Sequence, residues 1–370
     1  KPLEFYKPTL GYFGTQHDAF LSTEYGHVSV DAKRGQVFLL SPSGNGLEEL
    51  SRDGMKHWFK NNLPFTMEQY FLTVDVDNAY NGIGLSLSFD KRFNSLYLTK
   101  LDYQPLYKTI QYNNGKFYYE NKEIALTDGK YFCNKSWTIS YNFYKKEWVS
   151  FHSFTPNYYI DGIDWFITGL NAPQLNSKQR SSAWIHNISN KSYQVFYGKL
   201  HPFVVETTSK WDMQYKKLTD VQYFADVVRV HNEFDKVHLH KNPYNKAILY
   251  TDFANTGTLH LVDYNPNDSS HNFAFPKNFT THREIIVNQK KEFWTINDVK
   301  NKVRSDSDNI PKFINSCNNV EKHINLAAMD MVNNQMNKHV EGNQFKIRFV
   351  NDDKSNYKIV HKATLINSMI

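Results

Sequence analysis

Apolar and polar positions alternate along most of the first two hundred residues, in pairs of runs joined by short polar turns. The clearest pair lies in residues 136–160, where Trp137, Ile139 and Tyr141 alternate with polar residues and alternation resumes at Trp148 after a polar turn. Because successive side chains of a strand point to opposite faces, two such runs predict a β-hairpin.

The same arrangement occurs three more times: in residues 27–40 with a turn at 33–35, in 83–101 with a turn at 91–94, and in 183–200 with a turn at 190–192. The turns are about 50 residues apart, a spacing typical of repeated units of blade size. We therefore predict a mainly β, β-propeller-like chain of repeated antiparallel hairpins. One large antiparallel sheet or sandwich is the alternative, because no blade signature dipeptide is present.

Residues 46–62 break this alternation. Their apolar residues recur at helical spacing, with a Gly-Asn step before them and Pro64 after them. The pattern predicts one amphipathic helix inserted between blades. We interpret it as a structural plug on the β surface, with a docking helix for a partner as the alternative.

The spacing and composition of these patterns predict three regions. Residues 1–205 would hold the blades and the inserted helix, and residues 206–300 a second β-rich region or the closing blades. Residues 301–370 have a mixed pattern, with a short helix predicted at 319–338 and a final strand pair at 344–352 and 357–366.

Composition supports a β-rich chain and excludes several classes. Aromatic residues make up 16% of the 370 residues, and aromatic side chains pack well on half-buried pleated faces. The net charge of +6 is mild, and the Lys and Arg residues are scattered through turns, which does not indicate a nucleic-acid groove. No apolar run approaches the ~20 residues of a membrane-spanning helix.

The termini and the cysteines add two expectations. Cys133 and Cys317 are the two cysteines and lie far apart, so neither a disulfide framework nor a cysteine-based zinc site is predicted. The chain starts without Met or a signal-peptide core, and the first hairpin follows almost at once. We therefore expect the sequence to be a piece of a longer polypeptide.

The densest polar group near the start could place a histidine beside a carboxylate for acid–base chemistry. It comprises His17, Asp18, Glu24, His27 and Asp31. These residues interleave with apolar ones in a hairpin, which favours a structural network over a catalytic pair.

Two further groups have the residue types of metal sites. Alternate strand residues share a face, so His238 and His240, with His231 and Asp235 nearby, suggest a ligand set, although nothing completes a known site. Residues 75–82 open like a calcium loop, but their glycine is misplaced and the closing Glu is absent, which indicates turn chemistry.

Motifs for catalysis are missing. The sequence has no G-x-S-x-G elbow, no P-loop and no dinucleotide fingerprint before a helix. Asp161 and Asp164 could supply the two carboxylates of a glycosidase, but both fall in an evident turn. We predict that the chain is not an enzyme and that it has no catalytic, cofactor-binding or metal-binding residues.

Three phrases, at residues 13–40, 148–160 and 193–206, resemble the C-terminal part of the stabilisation, or muzzle, protein family of crAss-like bacteriophages of gut Bacteroidales. The resemblance extends over residues 11–210 and rests on short similar sequence segments rather than on a catalytic motif. Members of that family are much longer than this chain.

The resemblance implies a virion structural protein at the distal end of a short tail. Copies would associate in a ring around the tail axis, close or narrow the tail channel, and contact other tail proteins as well as DNA or ejected protein in the channel. It implies no enzymatic activity and no cofactor.

A second hypothesis from a different class remains open. The chain could be a receptor- or carbohydrate-binding propeller at the tail tip, or a hydrolase there, with Tyr158, Tyr159 and Trp165 as platforms for sugar rings. Their alternation along the chain instead favours a place in the core of a blade.

Overall fold

The computed structural model of this chain describes residues 16, 19–42, 46–52, 54–163, 165–170, 183–186, 193–210, 215–230, 236–251, 256–263, 283–290, 292–297, 299, 340–352 and 357–369. The fold is mainly β, as predicted. It divides into two compact units between residues 188 and 189, whereas the sequence pattern placed the first boundary after residue 205.

The described part of the first unit contains sixteen strands and two α-helices. In chain order these elements are β1 (Phe20–Thr23), β2 (Gly26–Asp31), β3 (Gln36–Leu40), β4 (Leu47–Glu49), α1 (Lys56–Asn62), α2 (Thr66–Tyr70), β5 (Gly84–Asp90), β6 (Ser95–Leu101), β7 (Tyr103–Pro105), β8 (Gln111–Asn113), β9 (Lys116–Tyr119), β10 (Lys122–Ile124), β11 (Phe132–Asn134), β12 (Trp137–Asn142), β13 (Glu147–His152), β14 (Tyr158–Asp161), β15 (Phe166–Gly169) and β16 (Trp184–His186).

These strands form antiparallel sheets. The first sheet is a four-stranded meander in the order β1-β2-β3-β4, and the second has the order β13-β12-β6-β5. Smaller sheets have the orders β10-β9-β8, β11-β7 and β14-β15-β16. The predicted hairpins at 27–40, 83–101 and 136–160 are confirmed as β2–β3, β5–β6 and β12–β13.

Two features differ from the predicted blade pattern. The second and third hairpins are not separate units, because β12 pairs with β6 along six residues and joins them into one sheet. The prediction of a fourth hairpin at 183–200 is wrong. β16 pairs with β15. Val195–Phe196 instead pairs with Lys199–Leu200, around Tyr197 and Gly198, whose positive φ angles of 52° and 77° favour a two-residue turn. The turn predicted at 190–192 lies outside the described residues.

The predicted helix at 46–62 is shorter in the structure. Residues of β4 pair with β3, and helix α1 starts only at Lys56. The reason is local backbone geometry, since Gly46 and Gly54 have φ angles of 133° and 70°, which a helix does not allow. After Pro64 the short helix α2 follows.

Helix α1 is packed against aromatic side chains of the second sheet. The fully buried ring of Phe59 lies 4.6 Å from the ring of Trp148, and Trp58 lies 4.8 Å from Trp137. The indole N–H of Trp148 donates to the carbonyl of Leu50 at 2.8 Å. This face of the helix therefore forms part of the core.

The second sheet carries a charged pair in its interior. Leu96, Leu98 and Lys100 of β6 alternate toward one face, and all three are almost fully buried. The Lys100 ammonium forms an ion pair with Asp102 at 2.8 Å, and the two side chains are 2% and 0% exposed. Burial lowers the pKa of Lys100 from its ordinary value, although the Asp102 carboxylate opposes the shift.

Each partner of this pair also fixes the backbone around the helices. Lys100 donates to the carbonyls of Asn62 and Pro64 at 2.9 and 2.8 Å, at the end of α1 and in the linker to α2. Asp102 accepts from the backbone N–H groups of Thr66 and Met67 at 2.7 and 3.2 Å. Because the first N–H groups of a helix lack partners within it, Asp102, which lies between β6 and β7, serves as the cap of α2.

The second unit is built on one large mixed sheet. Its strands are β17 (Val195–Phe196), β18 (Lys199–Leu200), β19 (Phe203–Lys210), β20 (Lys216–Val230), β21 (Lys236–Leu239), β22 (Lys246–Tyr250), β23 (Leu259–Asp263), β24 (Arg283–Lys290), β25 (Phe293–Asn297), β26 (Glu341–Gly342), β27 (Gln344–Asn351) and β28 (Tyr357–Met369). Eight of them follow the order β19-β27-β22-β23-β24-β25-β20-β21, and β26 and β28 also pair with β20, which makes a ten-stranded sheet. Strands β23 and β24 are parallel, and the other described pairs of this sheet are antiparallel.

Both strands predicted at 344–352 and 357–366 exist, but they do not pair with each other, so the predicted strand pair is wrong. Strand β27 lies between β19 and β22, and β28 pairs with β20 along Lys217–Arg229. The buried rings of Tyr223, Tyr244 and Phe349 lie together in the core of this unit, where the Tyr223 hydroxyl donates to Asn242 at 2.7 Å. The helix predicted at 319–338 lies outside the described residues.

Cys133 is buried and forms a disulfide. The other cysteine of the chain, Cys317, lies outside the described residues, and a single bridge is not a disulfide framework.

We expect Asp102→Ala to lower the free energy of unfolding by about 3–5 kcal/mol, because it leaves a buried ammonium without its counter-ion and several backbone N–H groups without their acceptor. Urea unfolding followed by circular dichroism measures this loss. The exposed pair Lys116–Glu123 is a matched control, since its atoms are also 2.8 Å apart but its side chains are 54% and 55% exposed. Glu123→Ala should cost less than about 1 kcal/mol. Equal losses in the two variants would contradict a structural role for the buried pair.

Candidate functional site

The polar group near the start of the chain does not converge into an acid–base site in the part that the structure describes. The His27 ring shares a hydrogen bond of 2.8 Å with the Ser22 hydroxyl and stacks on Phe20. Asp31, at the other end of β2, is buried and accepts from the backbone N–H of Arg34 at 3.1 Å. His17 and Asp18 lie outside the described residues.

The histidines on β21 and beside it are exposed. His238 points outward on the strand, and the His240 ring lies 5.9 Å from the ring of Trp294. Across the described ranges, no group of three or more His, Cys, Asp or Glu side chains could hold a metal ion. His231 and Asp235 lie outside those ranges.

The segment that opens like a calcium loop is a turn, which confirms that interpretation. The Asp75 carboxylate accepts from the backbone N–H of Asp77 at 3.0 Å. The Asn78 side chain accepts from the N–H of Asn81 at 3.1 Å and starts a single 3-10 turn, which ends at Gly82 with a φ of 114°.

A surface pocket lies at the turn between β14 and β15. It has a volume of about 450 Å³ and is lined by Phe89, Lys91, Asp161, Gly162, Ile163 and Trp165. The hydroxyl of Ser88 and the backbone N–H of Phe89 both donate to the Asp161 carboxylate, the second at 3.4 Å. Asp161 is thus held against β5, and Asp164 lies outside the described residues.

Glycine is required beneath the tryptophan of this turn. A Cβ atom on Gly162 would lie 2.6 Å from Cδ2 of Trp165 and 2.7 Å from its carbonyl oxygen. The backbone N–H of Gly162 donates to that carbonyl at 2.9 Å. The turn therefore fixes the Trp165 ring against the backbone while 44% of the residue remains exposed.

The outer face of the sheet β14-β15-β16 carries a row of three isoleucines. Ile160 pairs with Ile167, and Ile167 pairs with Ile185. Ile160 and Ile185 are each 52% exposed, and Ile163 in the adjacent turn is 75% exposed. Contiguous exposed apolar residues of this kind mark interaction surfaces more often than isolated ones do.

The inner face of the same sheet is engaged within the unit. The hydroxyl of Tyr159 lies 2.6 Å from that of Thr99, which in turn lies 2.7 Å from that of Thr138. Tyr158 is on the outer face but half-buried, with its ring across Gly169, where a Cβ atom would lie 2.0 Å from Cε1. Of the three proposed aromatic platforms, Trp165 alone is exposed, and the two tyrosines are half-buried.

Two histidines are held neutral beside this sheet. The ring of His152 lies 2.9 Å from the Ser140 hydroxyl, and that of His186 lies 2.7 Å from the Thr168 hydroxyl. Phe154 lies between them, with ring centroids 5.1 and 4.9 Å away. Burial lowers the pKa of each histidine from 6.5 to about 4.

Sequence reasoning missed several of these features. Lys100 and Asp102 follow Leu96 and Leu98 at intervals of two residues, so the alternation itself placed both charges on an apolar face. The contacts of Asp161 and His186 join segments far apart in the chain, and no local pattern identifies them. Among the described residues, no helix is long and apolar enough to cross a membrane.

Comparison with known proteins assigns no family. No protein-family model and no curated protein matches the chain.

Stability should depend on pH through His152 and His186. Because their folded pKa values lie below 6.5, the unfolded chain binds more protons between about 4 and 6.5, and stability is lost as the pH falls through this window. Each histidine contributes a slope of up to about 1.4 kcal/mol per pH unit.

Urea unfolding at several pH values between 7 and about 5 measures this slope, over a range where carboxylates contribute less. His152→Gln should reduce the slope and keep a hydrogen-bonding group opposite Ser140. An unchanged slope in His152→Gln and in His186→Gln would contradict the assignment.

Proposed function

We propose that this chain is a non-enzymatic structural protein of a short-tailed bacteriophage. It would lie at the distal end of the tail, where copies arranged in a ring around the tail axis close or narrow the channel. The proposal starts from the phrase-level resemblance of residues 11–210 to the muzzle proteins of crAss-like phages, and the chain would act by assembly with itself and with other tail proteins.

The exposed isoleucine row is the observation that carries this proposal. Ile160, Ile167 and Ile185 cross three strands on one outer face. Contiguous exposed apolar residues mark interaction sites, and the buried centre of a permanent interface is apolar. Subunit contacts in a ring would cover this face.

Propeller-like architecture is part of the same proposal. The meander β1-β2-β3-β4 and the sheet β13-β12-β6-β5 each have the four antiparallel strands of a blade. Rigid sheets of this kind suit an assembly in which large interfaces hold the subunits.

The charge of the chain is compatible with a channel for DNA. A net charge of +6 spread over 370 residues attracts a passing duplex weakly, because tight phosphate binding needs many clustered cations. Contact with DNA or ejected protein would therefore be transient.

Cryo-electron microscopy of purified particles of the phage that encodes this chain tests the location. We expect density for the chain at the tail tip, repeated around the tail axis. Absence of the chain from intact particles would contradict the proposal and favour a factor made during infection.

The role of the isoleucine row can be tested by combining Ile160→Ser with Ile185→Ser. We expect self-association, measured by sedimentation velocity, to weaken at least about tenfold, because each buried apolar side chain contributes roughly 1.5–3 kcal/mol. Leu72→Ser is a control, since Leu72 is 94% exposed and lies outside the row. Equal association of the double variant and of the control would exclude this face as the interface.

A further inference from the structure

The pocket beside Trp165 has the chemistry of a ligand site rather than of a subunit contact. Apolar and polar groups converge there within about 450 Å³, on a turn that joins two short strands. Binding pockets typically combine a mainly apolar wall with a few fixed polar groups that set orientation.

The apolar wall is packed against the backbone of the turn. Trp165 rests on Gly162, and the hydrogen bond between their backbones closes the turn beneath the ring. Because Gly162 supports one side of the ring, stacking of a ligand on the other side costs less side-chain entropy than it would on an unsupported ring.

The polar groups are an oriented acceptor and a mobile donor. Ser88 and the N–H of Phe89 hold Asp161 in place, and a carboxylate with four lone-pair positions can still accept from a ligand. Lys91, in the turn between β5 and β6, is exposed and forms no ion pair among the described residues. Its ammonium can donate up to three hydrogen bonds.

We propose that this pocket binds a neutral pyranose sugar, with a C–H face of the ring on Trp165 and hydroxyl groups hydrogen-bonded to Asp161 and Lys91. A sugar ring has one apolar face and a rim of hydroxyl groups that both donate and accept, which matches the wall and the two polar groups. The Asp161 carboxylate repels an anionic ligand such as a phosphate.

The proposal concerns sugar binding and not hydrolysis. Hydrolysis of a glycosidic bond needs two carboxyl groups on either side of it, and Asp161 is the one carboxylate in the described lining of the pocket. The inference does not depend on the proposed tail role, because sugar binding and the position of the chain in a particle are measured separately.

The test uses the whole chain with its seven tryptophans labelled as 5-fluorotryptophan and observed by fluorine NMR. The signal that disappears in Trp165→Phe identifies Trp165. The probes are the methyl glycosides of glucose, galactose, mannose and N-acetylglucosamine, each titrated to tens of millimolar. We expect at least one of them to shift the Trp165 signal in a saturable way and to leave the other signals in place.

Three variants decide the outcome. Trp165→Ala should weaken binding of that glycoside, measured by calorimetry, at least about tenfold, and Lys91→Ala about threefold or more. Tyr70→Ala is the matched control, because Tyr70 is 45% exposed, close to the 44% of Trp165, and does not line the pocket. It should bind unchanged.

The proposal is overturned if no glycoside shifts the Trp165 signal, or if Trp165→Ala and Lys91→Ala both bind like the unmodified chain. Lys91→Ala changes an exposed turn residue, so it remains informative even if Trp165→Ala does not fold. The proposal is also overturned if an apolar peptide shifts the Trp165 signal and no glycoside does. That result would make the pocket a protein contact.

Discussion

The buried pair of Lys100 and Asp102 connects the parts of the first unit that neighbouring strands do not join. Lys100 reaches the carbonyls at the end of α1 and before α2, and Asp102 caps α2. Replacing water around two charges is costly, and it is tolerated here because oriented backbone groups complete the contacts of each charge. The path of the chain between the first and second sheets therefore depends on these two side chains.

Contacts between neighbouring segments could be predicted from the sequence, whereas contacts between distant segments could not. Alternation with a period of two identified the hairpins β2–β3, β5–β6 and β12–β13, because a hairpin is decided by neighbouring residues and its turn. The pairing of β6 with β12 was missed, since nothing in either run specifies which distant strand it meets. The helix at 46–62 failed for a different reason: apolar spacing ignored the backbone at Gly46 and Gly54, which ends regular structure there.

The candidate surfaces likewise depend on contacts between residues that are distant in the chain. Sequence alone named Trp165, Tyr158 and Tyr159 together as possible platforms and favoured a core position for all three. The structure places Tyr158 across Gly169 and Tyr159 against Thr99, whereas Trp165 is exposed. What separates the three is contact with residues distant in the chain. The isoleucine row is likewise visible only after β14, β15 and β16 are in register.

The pairing of the second unit has a consequence for synthesis on the ribosome. Strand β19, at Phe203–Lys210, pairs with β27 at Gln344–Asn351, and β20 pairs with β28, which extends to Met369. Sequence separations of this size make folding slow, because the chain loses the entropy of closing a long loop before contacts between the distant strands stabilise it. Hairpins of the first unit can form while the chain emerges, and the end of β20 can pair with β21, whereas β19 and the edge of β20 that meets β28 wait for partners made more than a hundred residues later. During that interval their edges are exposed and can pair with other chains, so we expect chaperones to bind the nascent chain at these strands.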